Sequence, residues 1–288
     1  MKLSNKVLLI TGIALIIIPM VSMFAISRIY FEKGEYKTED FVAHKAKGFK
    51  ETESNYTAIK TAPFQEVNLE GLSSKETGVS FIVGPEFGVK ISEAYKEDFQ
   101  IENLSNGQLK IQLKDDSNVG VSQVKIKIFA PKLSQISIDG SSTLWINYFA
   151  DSLKLNVNNI GRLYIDDQEQ LHNLTLVANN LESLHLNKEV WNSLKIETST
   201  DEQKESKLFF YQNQIEYLDL KANGKQELFF GSRDKGAEIL KIKDLNLQTT
   251  GAVQLIMPAV EVEKAKGSIS DETYLSIPAK IIKLLYNF

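Results

Sequence analysis

The chain has 288 residues, with 33 Lys+Arg against 37 Asp+Glu, three histidines and no cysteine. The missing cysteines exclude a disulfide framework, a thiolate nucleophile and a thiolate metal site. With Lys2, Lys6 and Arg28 set aside, 30 basic residues face 37 acidic ones beyond residue 30, a balance that argues against nucleic-acid binding, which needs clustered cations.

The first element is residues 7–27, VLLITGIALIIIPMVSMFAIS, 21 residues without a charge. A helix of that length rises roughly 30 Å, about the thickness of a bilayer's hydrocarbon core. Lys2 and Lys6 precede it, which sets the N-terminus inside and the rest of the chain across the membrane. Residues 1–30 are thus expected to form a transmembrane anchor in the cytoplasmic membrane, with the C-terminal domain in the periplasm or exterior. The competing reading is a cleaved signal, with FAIS at its end, which makes the protein secreted or cell-surface. Ile26 and Ile29 interrupt the small-residue cleavage pattern and the apolar run is long for a signal core, so the uncleaved anchor is preferred. Residues 31–63 are charged and poor in aliphatics, the composition of a polar juxtamembrane linker.

From Phe64 onward, apolar residues alternate with polar ones. VNL (67–69), VSFIVG (79–84), GVKIS (88–92), LKIQL (109–113) and VKIKIF (124–129) read as strands. Gly84-Pro85 and Ser105-Asn106-Gly107 punctuate them as turns. After Pro131 a longer period is superimposed. Inward-type pairs recur at Ile136/Ile138, Leu155/Val157, Leu174/Leu176, Leu194/Ile196, Leu218/Leu220 and Leu245/Leu247. A second set follows at Leu144/Ile146, Leu163/Ile165, Leu184/Leu186, Leu208/Phe210, Leu228/Phe230 and Val253/Leu255. Small polar residues such as Asp139-Gly140, Asn158-Asn159, Asn179-Asn180 and Asn223-Gly224 separate the two sets.

The stretch LHNLTLVANNLESLHL (171–186) begins like a leucine-rich repeat, but the second half of every unit alternates as clearly as the first, and no unit has a helical period. Six units of about 20 residues, each with two strands about a polar turn, predict a parallel β-solenoid spanning 64–288, an all-β fold. The closing IIKLLYNF (281–288) is expected to cap the last turn as a strand.

Between Gly78 and Leu144 the chain reads GVSFIVGPEFGVKI, NGQLKIQL and VKIKIFAPKLSQISIDGSSTL. These ordered patterns resemble the head GIN domain family of putative auto-transporter adhesins, exported bacterial proteins. Family membership implies a β-helical fold and export; it brings no catalytic residues. Asn-Asn, Asn-Gly and Thr-Thr-Gly stand where the family has glycine-serine turns, the mark of a diverged member.

No reactive constellation emerges from the residues. His44, His172 and His185 form no H-x-H or H-x-x-x-H, so no metal and no cofactor is expected. The acids Asp139, Asp166, Asp167, Glu182, Glu197, Asp219 and Asp244 fall at different registers, which argues against a polysaccharide-active β-helix enzyme, the alternative that gathered carboxylates require. The strand residues between the inward pairs should point outward. In the first strand these are polar: Ser137, Asn156, Thr175, Lys195, Asp219 and Asn246. In the second they are Trp145, Tyr164, His185, Phe209, Phe229 and Gln254, so five successive turns present a column of rings. Such a column is either covered by the protein itself or is a docking strip for a protein or glycan partner. The expected function is a non-enzymatic binding, adhesion or scaffolding module.

Overall fold

The computed structural model describes residue 19 and residues 48–73, 75–114, 123–148, 150–165, 170–186, 188–201, 203–211, 214–231 and 239–286. The anchor or signal expected over 1–30 therefore lies outside the described residues, Pro19 apart. Among the described residues no helix is long and apolar enough to cross a membrane.

Among the described residues from 48 onward the protein is all-β apart from a short 3-10 segment and one terminal helix. In chain order the strands are β1 (Tyr56–Lys60), β2 (Glu66–Glu70), β3 (Glu76–Val83), β4 (Gly88–Ser92), β5 (Phe99–Asn103), β6 (Gln108–Leu113), β7 (Gln123–Ala130), β8 (Gln135–Tyr148) and β9 (Ser152–Ile165). They continue as β10 (Asn173–Leu186), β11 (Val190–Ser199), β12 (Ser206–Phe210), β13 (Gln214–Asn223), β14 (Gln226–Phe230), β15 (Leu240–Thr250), β16 (Val253–Ile256), β17 (Val260–Ser268) and β18 (Tyr274–Ser276).

Parallel pairing stacks these strands level upon level. Among the described residues nine levels follow one another: β6 with β7, β2 with β3, then β8, β9 and β10, then β11 with β12, β13 with β14, β15 with β16, and β17 with β18. The first two levels are laid out of chain order, because β6–β7 returns to the outer side of β2–β3 before β8 takes the inner side. An antiparallel layer closes that outer end: β5 pairs with β6, β4 with β7, and β1 with β4. Tyr56–Lys60, placed in the linker by composition, is thus a strand of this layer.

Inside, identical registers form columns of apolar side chains. Leu144, Leu163, Leu184, Leu208, Leu228 and Leu255 are successive partners and all wholly buried. Each such leucine contributes about 2 kcal/mol relative to exposure. The six-unit repeat holds with two corrections of register. Leu155 and Val157 face Leu176 and Ala178, not Leu174 and Leu176, because this strand carries three inward positions per level. The outward set Ser137 to Asn246 is accordingly two columns: Ser137 meets Asn156, whereas Thr175, Lys195, Asp219 and Asn246 follow Lys154. At the other strand, Leu228 faces Leu255, so the sixth inward pair is Leu255/Met257 and Ile256, not Gln254, follows Phe229.

The polar corners are bends within continuous strands. In β9 and β10 a single residue turns the chain, Asn159 (φ 54°) and Asn180 (φ 55°); in β8 the same place is taken by Gly140 (φ 77°). Asparagine is the side-chain-bearing residue that best tolerates this left-handed region, and here its amide also bonds to the neighbouring levels. Asn158 and Asn159 donate through Nδ2 to Asp139 Oδ1 at 3.0 and 3.2 Å, and Asn180 Nδ2 donates to Asn159 Oδ1 at 3.2 Å. The Asn179 and Asn180 Oδ1 atoms accept from Ser199 Oγ (2.6 Å) and the Asp201 amide (3.1 Å).

Both ends of the stack carry a closure. At the C-terminal end the expected strand over 281–288 is instead helix α1 (Ala279–Tyr286), which packs on β17 and buries Ile281 and Leu285. The four-residue spacing of Ile281 and Leu285 is helical, which the eye for alternation passes over. At the N-terminal end Lys90 of β4 is 1% exposed. Its Nζ donates to Gly48 O (3.0 Å), Glu51 O (2.8 Å) and Glu53 Oε1 (2.9 Å), and lies 5.3 Å from the centre of the Phe129 ring. Lys127, directly opposite on β7, donates to the other Glu53 oxygen and lies 4.4 Å from the Tyr56 ring centre. Burial works to raise the Glu53 carboxyl, but the two ammonium groups outweigh it and hold that carboxyl below its ordinary range.

Candidate binding face

The second-strand register brings the five ring positions into one column. Trp145 pairs with Tyr164, Tyr164 with His185, His185 with Phe209, and Phe209 with Phe229. The ring centres lie 5.7 Å (Trp145–Tyr164), 4.5 Å (Tyr164–His185), 5.9 Å (His185–Phe209) and 6.5 Å (Phe209–Phe229) apart. The first three pairs are stacked, with planes within 14°, 12° and 30° of parallel, and the last is tilted at 52°. The cause is the level spacing: parallel strands repeat at about 4.8 Å, close to the separation that offset-stacked rings prefer.

Exposure is uneven along the column. Trp145, Tyr164, His185 and Phe209 are half-buried, whereas Phe229 is 5% exposed and belongs to the interior side of the boundary. Sequence periodicity missed Tyr211, which follows β12 by one residue. Its ring is 48% exposed, stacks on Phe209 at 5.7 Å and touches Phe229 at 6.1 Å. The signal available was only the run Phe209-Phe210-Tyr211; Phe210 itself turns inward and stacks on Phe230 at 4.4 Å.

Mutual stacking has a chemical consequence. The faces of Tyr164 and His185 are covered by their neighbours, so what this stretch of column offers outward is ring edges, the electropositive rim of the aromatic quadrupole. Beside the rings runs a second register column, Thr143, Arg162, Ser183, Lys207 and Glu227. The Arg162 guanidinium, the Tyr164 hydroxyl and the His185 ring nitrogens make no hydrogen bond or ion pair with another described side chain. Lys207 is held only loosely, 4.0 Å from Glu227. Burial, and secondarily the charge of Arg162, hold the His185 imidazole below its ordinary range and so favour its neutral form.

His172 lies away from this column: its Nδ1 is 3.1 Å from Asp151 Oδ1 at an exposed bend, where Asn173 Nδ2 also meets Asp151 Oδ2 at 2.8 Å. Among the described residues no group of three or more histidines and carboxylates is placed to hold a metal ion. The broad face of the first strands carries a shallow hollow of about 180 Å³ lined by Thr175, Lys195, Glu197, Asp219 and Lys221 among others. There Asn246 Nδ2 donates to Asp219 Oδ1 at 2.7 Å and Lys221 lies 3.5 Å from Glu197, so both carboxylates of the hollow are partnered.

The architecture and its ring column define an all-β protein with a repeated, side-chain-laddered surface. Residues 63–187 match the family model described as "Putative auto-transporter adhesin, head GIN domain". The resemblance read from Gly78 to Leu144 falls within it. No curated protein matches the chain. Among solved structures the chain is similar to a putative adhesin from Parabacteroides merdae, with 13% identity over 77% of this chain and 95% of that one and a TM-score of 0.44. A putative adhesin from Parabacteroides distasonis shares 14% identity over 77% and 96%, TM-score 0.45. A protein described as a putative lipid binding protein from the same species shares 14% identity over 77% and 96%, TM-score 0.36.

Proposed function

We propose that the chain is a membrane-anchored, extracytoplasmic β-solenoid that acts as a binding or adhesion module and performs no catalysis. The observation that carries the reading is the half-exposed ring column from Trp145 to Phe209, extended by Tyr211. The family match over residues 63–187 supports export and adhesion, and the parallel registers support a solenoid, whose elongated side is suited to a linear partner. The anchor rests on residues 7–27 and the lysines before them.

The docking role is tested with Phe209→Ser and Tyr211→Ser in the full chain, by binding to isolated cell envelopes alongside thermal melting. Loss of binding with the melting transition retained supports a docking strip; unchanged binding removes it. Retention of the chain in membranes after carbonate washing supports the anchor, and its release assigns the chain to the cleaved, secreted alternative.

A further inference from the structure

We infer that the ring column and its cationic neighbours form a site for an acidic polysaccharide, with carboxylates seated on Arg162 and Lys207. The inference rests on the docking reading above and gives it a ligand class.

Three observations converge. First, Arg162 is an exposed guanidinium with no carboxylate partner among the described residues, on the strand that also carries Tyr164 two residues on, hence on the same outward side. Guanidinium is the side chain best shaped to grip a carboxylate through paired N–H donors. Second, although the Glu227 carboxylate stands 4.0 Å from Lys207 and the Glu182 carboxylate lies beside Gly161, the groups next to Arg162 in the ring column are donors or electropositive edges: the Tyr164 hydroxyl and His185 ring nitrogens have no side-chain partner among the described residues, and the stacked rings turn their rims outward. Together they complement oxygen-rich anions better than apolar surface. Third, Arg162 and Lys207 occupy the same register two levels apart, through Ser183, a separation of about 9.6 Å at about 4.8 Å per level.

That separation discriminates between polymers. An extended peptide presents same-side acids every second residue, about 6.6 Å apart, or every fourth, about 13 Å, and matches neither cation pair spacing. A polysaccharide of alternating neutral and acidic sugars places its carboxylates on every second ring, with one ring spanning about one level. Lying along the column, it meets Arg162 with one carboxylate and Lys207 with the next, while the intervening neutral sugar lies beside His185 and offers hydroxyls to its ring nitrogens and to Tyr164. The covered ring faces leave no flat platform for stacking a neutral sugar between Tyr164 and Phe209, so recognition falls to charge and hydrogen bonding.

The test uses the full chain in detergent on immobilised hyaluronan, whose carboxylates sit on alternate rings, with dextran as the neutral polymer and poly-glutamate as the acidic peptide. Retention on hyaluronan, released by salt and absent on dextran, is expected, with R162A/K207A retained about tenfold more weakly and melting unchanged. No retention of the intact chain on hyaluronan overturns the inference, as does equal retention of R162A/K207A. Retention on poly-glutamate in place of hyaluronan also overturns it and makes the partner an acidic peptide. Envelope binding measured in parallel keeps the two ideas apart: if it depends on Phe209 and Tyr211 while hyaluronan is not held, the docking strip stands and only its ligand class falls.

Discussion

Lys90 Nζ lies 2.9 Å from Glu53 Oε1, and the lysine side chain is 2% exposed while it makes this contact. A buried ammonium is tolerable only when fully partnered, and its partners here, Gly48 O, Glu51 O and Glu53, all belong to the segment where the described part of the domain begins. Removing the carboxylate leaves Lys90 buried and Lys127 opposite it without a counter-charge. Glu53→Ala is expected to cost about 3–5 kcal/mol, the range for breaking one side of a buried pair, read as a lower urea midpoint. The depressed carboxyl adds a pH dependence: its contribution is complete above the ordinary glutamate range and is lost as pH falls through the folded value. Acid titration of Glu53→Gln should lack that loss.

His185 gives a second pH test of the same sign, through the neutral form of a base. Because the fold holds its imidazole below the ordinary value, the unfolded chain takes up the proton first on acidification, and stability rises with pH across that interval. The contribution is present above about pH 6.5, the unfolded histidine range, and shrinks as pH falls below it. His185→Phe keeps a ring between Tyr164 and Phe209 and is expected to flatten the melting temperature over this interval; an unchanged slope refutes the assignment to His185.

Asn180 sits at φ 55° and bonds to Asn159 on one side and to the Asp201 amide on the other. Asn180→Val forces a β-branched residue into the left-handed region and removes both bonds, with an expected cost of about 2–3 kcal/mol. Asn180→Gly accepts the backbone angle and should cost about 1 kcal/mol. Equal losses for the two variants in equilibrium unfolding would show that the backbone angle is not the constraint.

The core columns give a third scale. Leu184→Ala, at a wholly buried position between Leu163 and Leu208, is expected to destabilise by about 3 kcal/mol, mostly through the cavity it leaves. Circular dichroism should show unchanged strand content at low temperature and an earlier thermal transition.

A column of rings was legible from Trp145, Tyr164, His185, Phe209 and Phe229 because alternation fixes which side a strand residue takes, and a shared repeat length fixes the stacking. Two things escaped. Register slips of two residues preserve alternation, so nothing in the pattern distinguishes Leu174 from Leu176 as the partner of Leu155; the bend that adds a third inward position decides it. Contacts outside the period also escaped: Tyr211 lies one residue past its strand, and Glu53 reaches Lys90 across 37 positions. The terminal helix was hidden because IIKLLY is apolar enough for either structure, and only packing on β17 selects the helical face.

The displaced order of the first levels bears on how the domain is assembled as the chain is synthesised N-terminus first. The earliest level to arrive, β2 with β3, is an inner one and has two open edges until β6–β7 settles on one and β8 on the other. If the strands settle in the order of the chain, growth starts from an interior seed, runs briefly backward to the antiparallel layer fastened by Glu53, and only then proceeds forward toward α1. A chain halted before β7 is complete is left with an open outer edge on β3, so the 60 residues from Glu70, at the end of β2, to Ala130, at the end of β7, set the first point at which that edge can be covered.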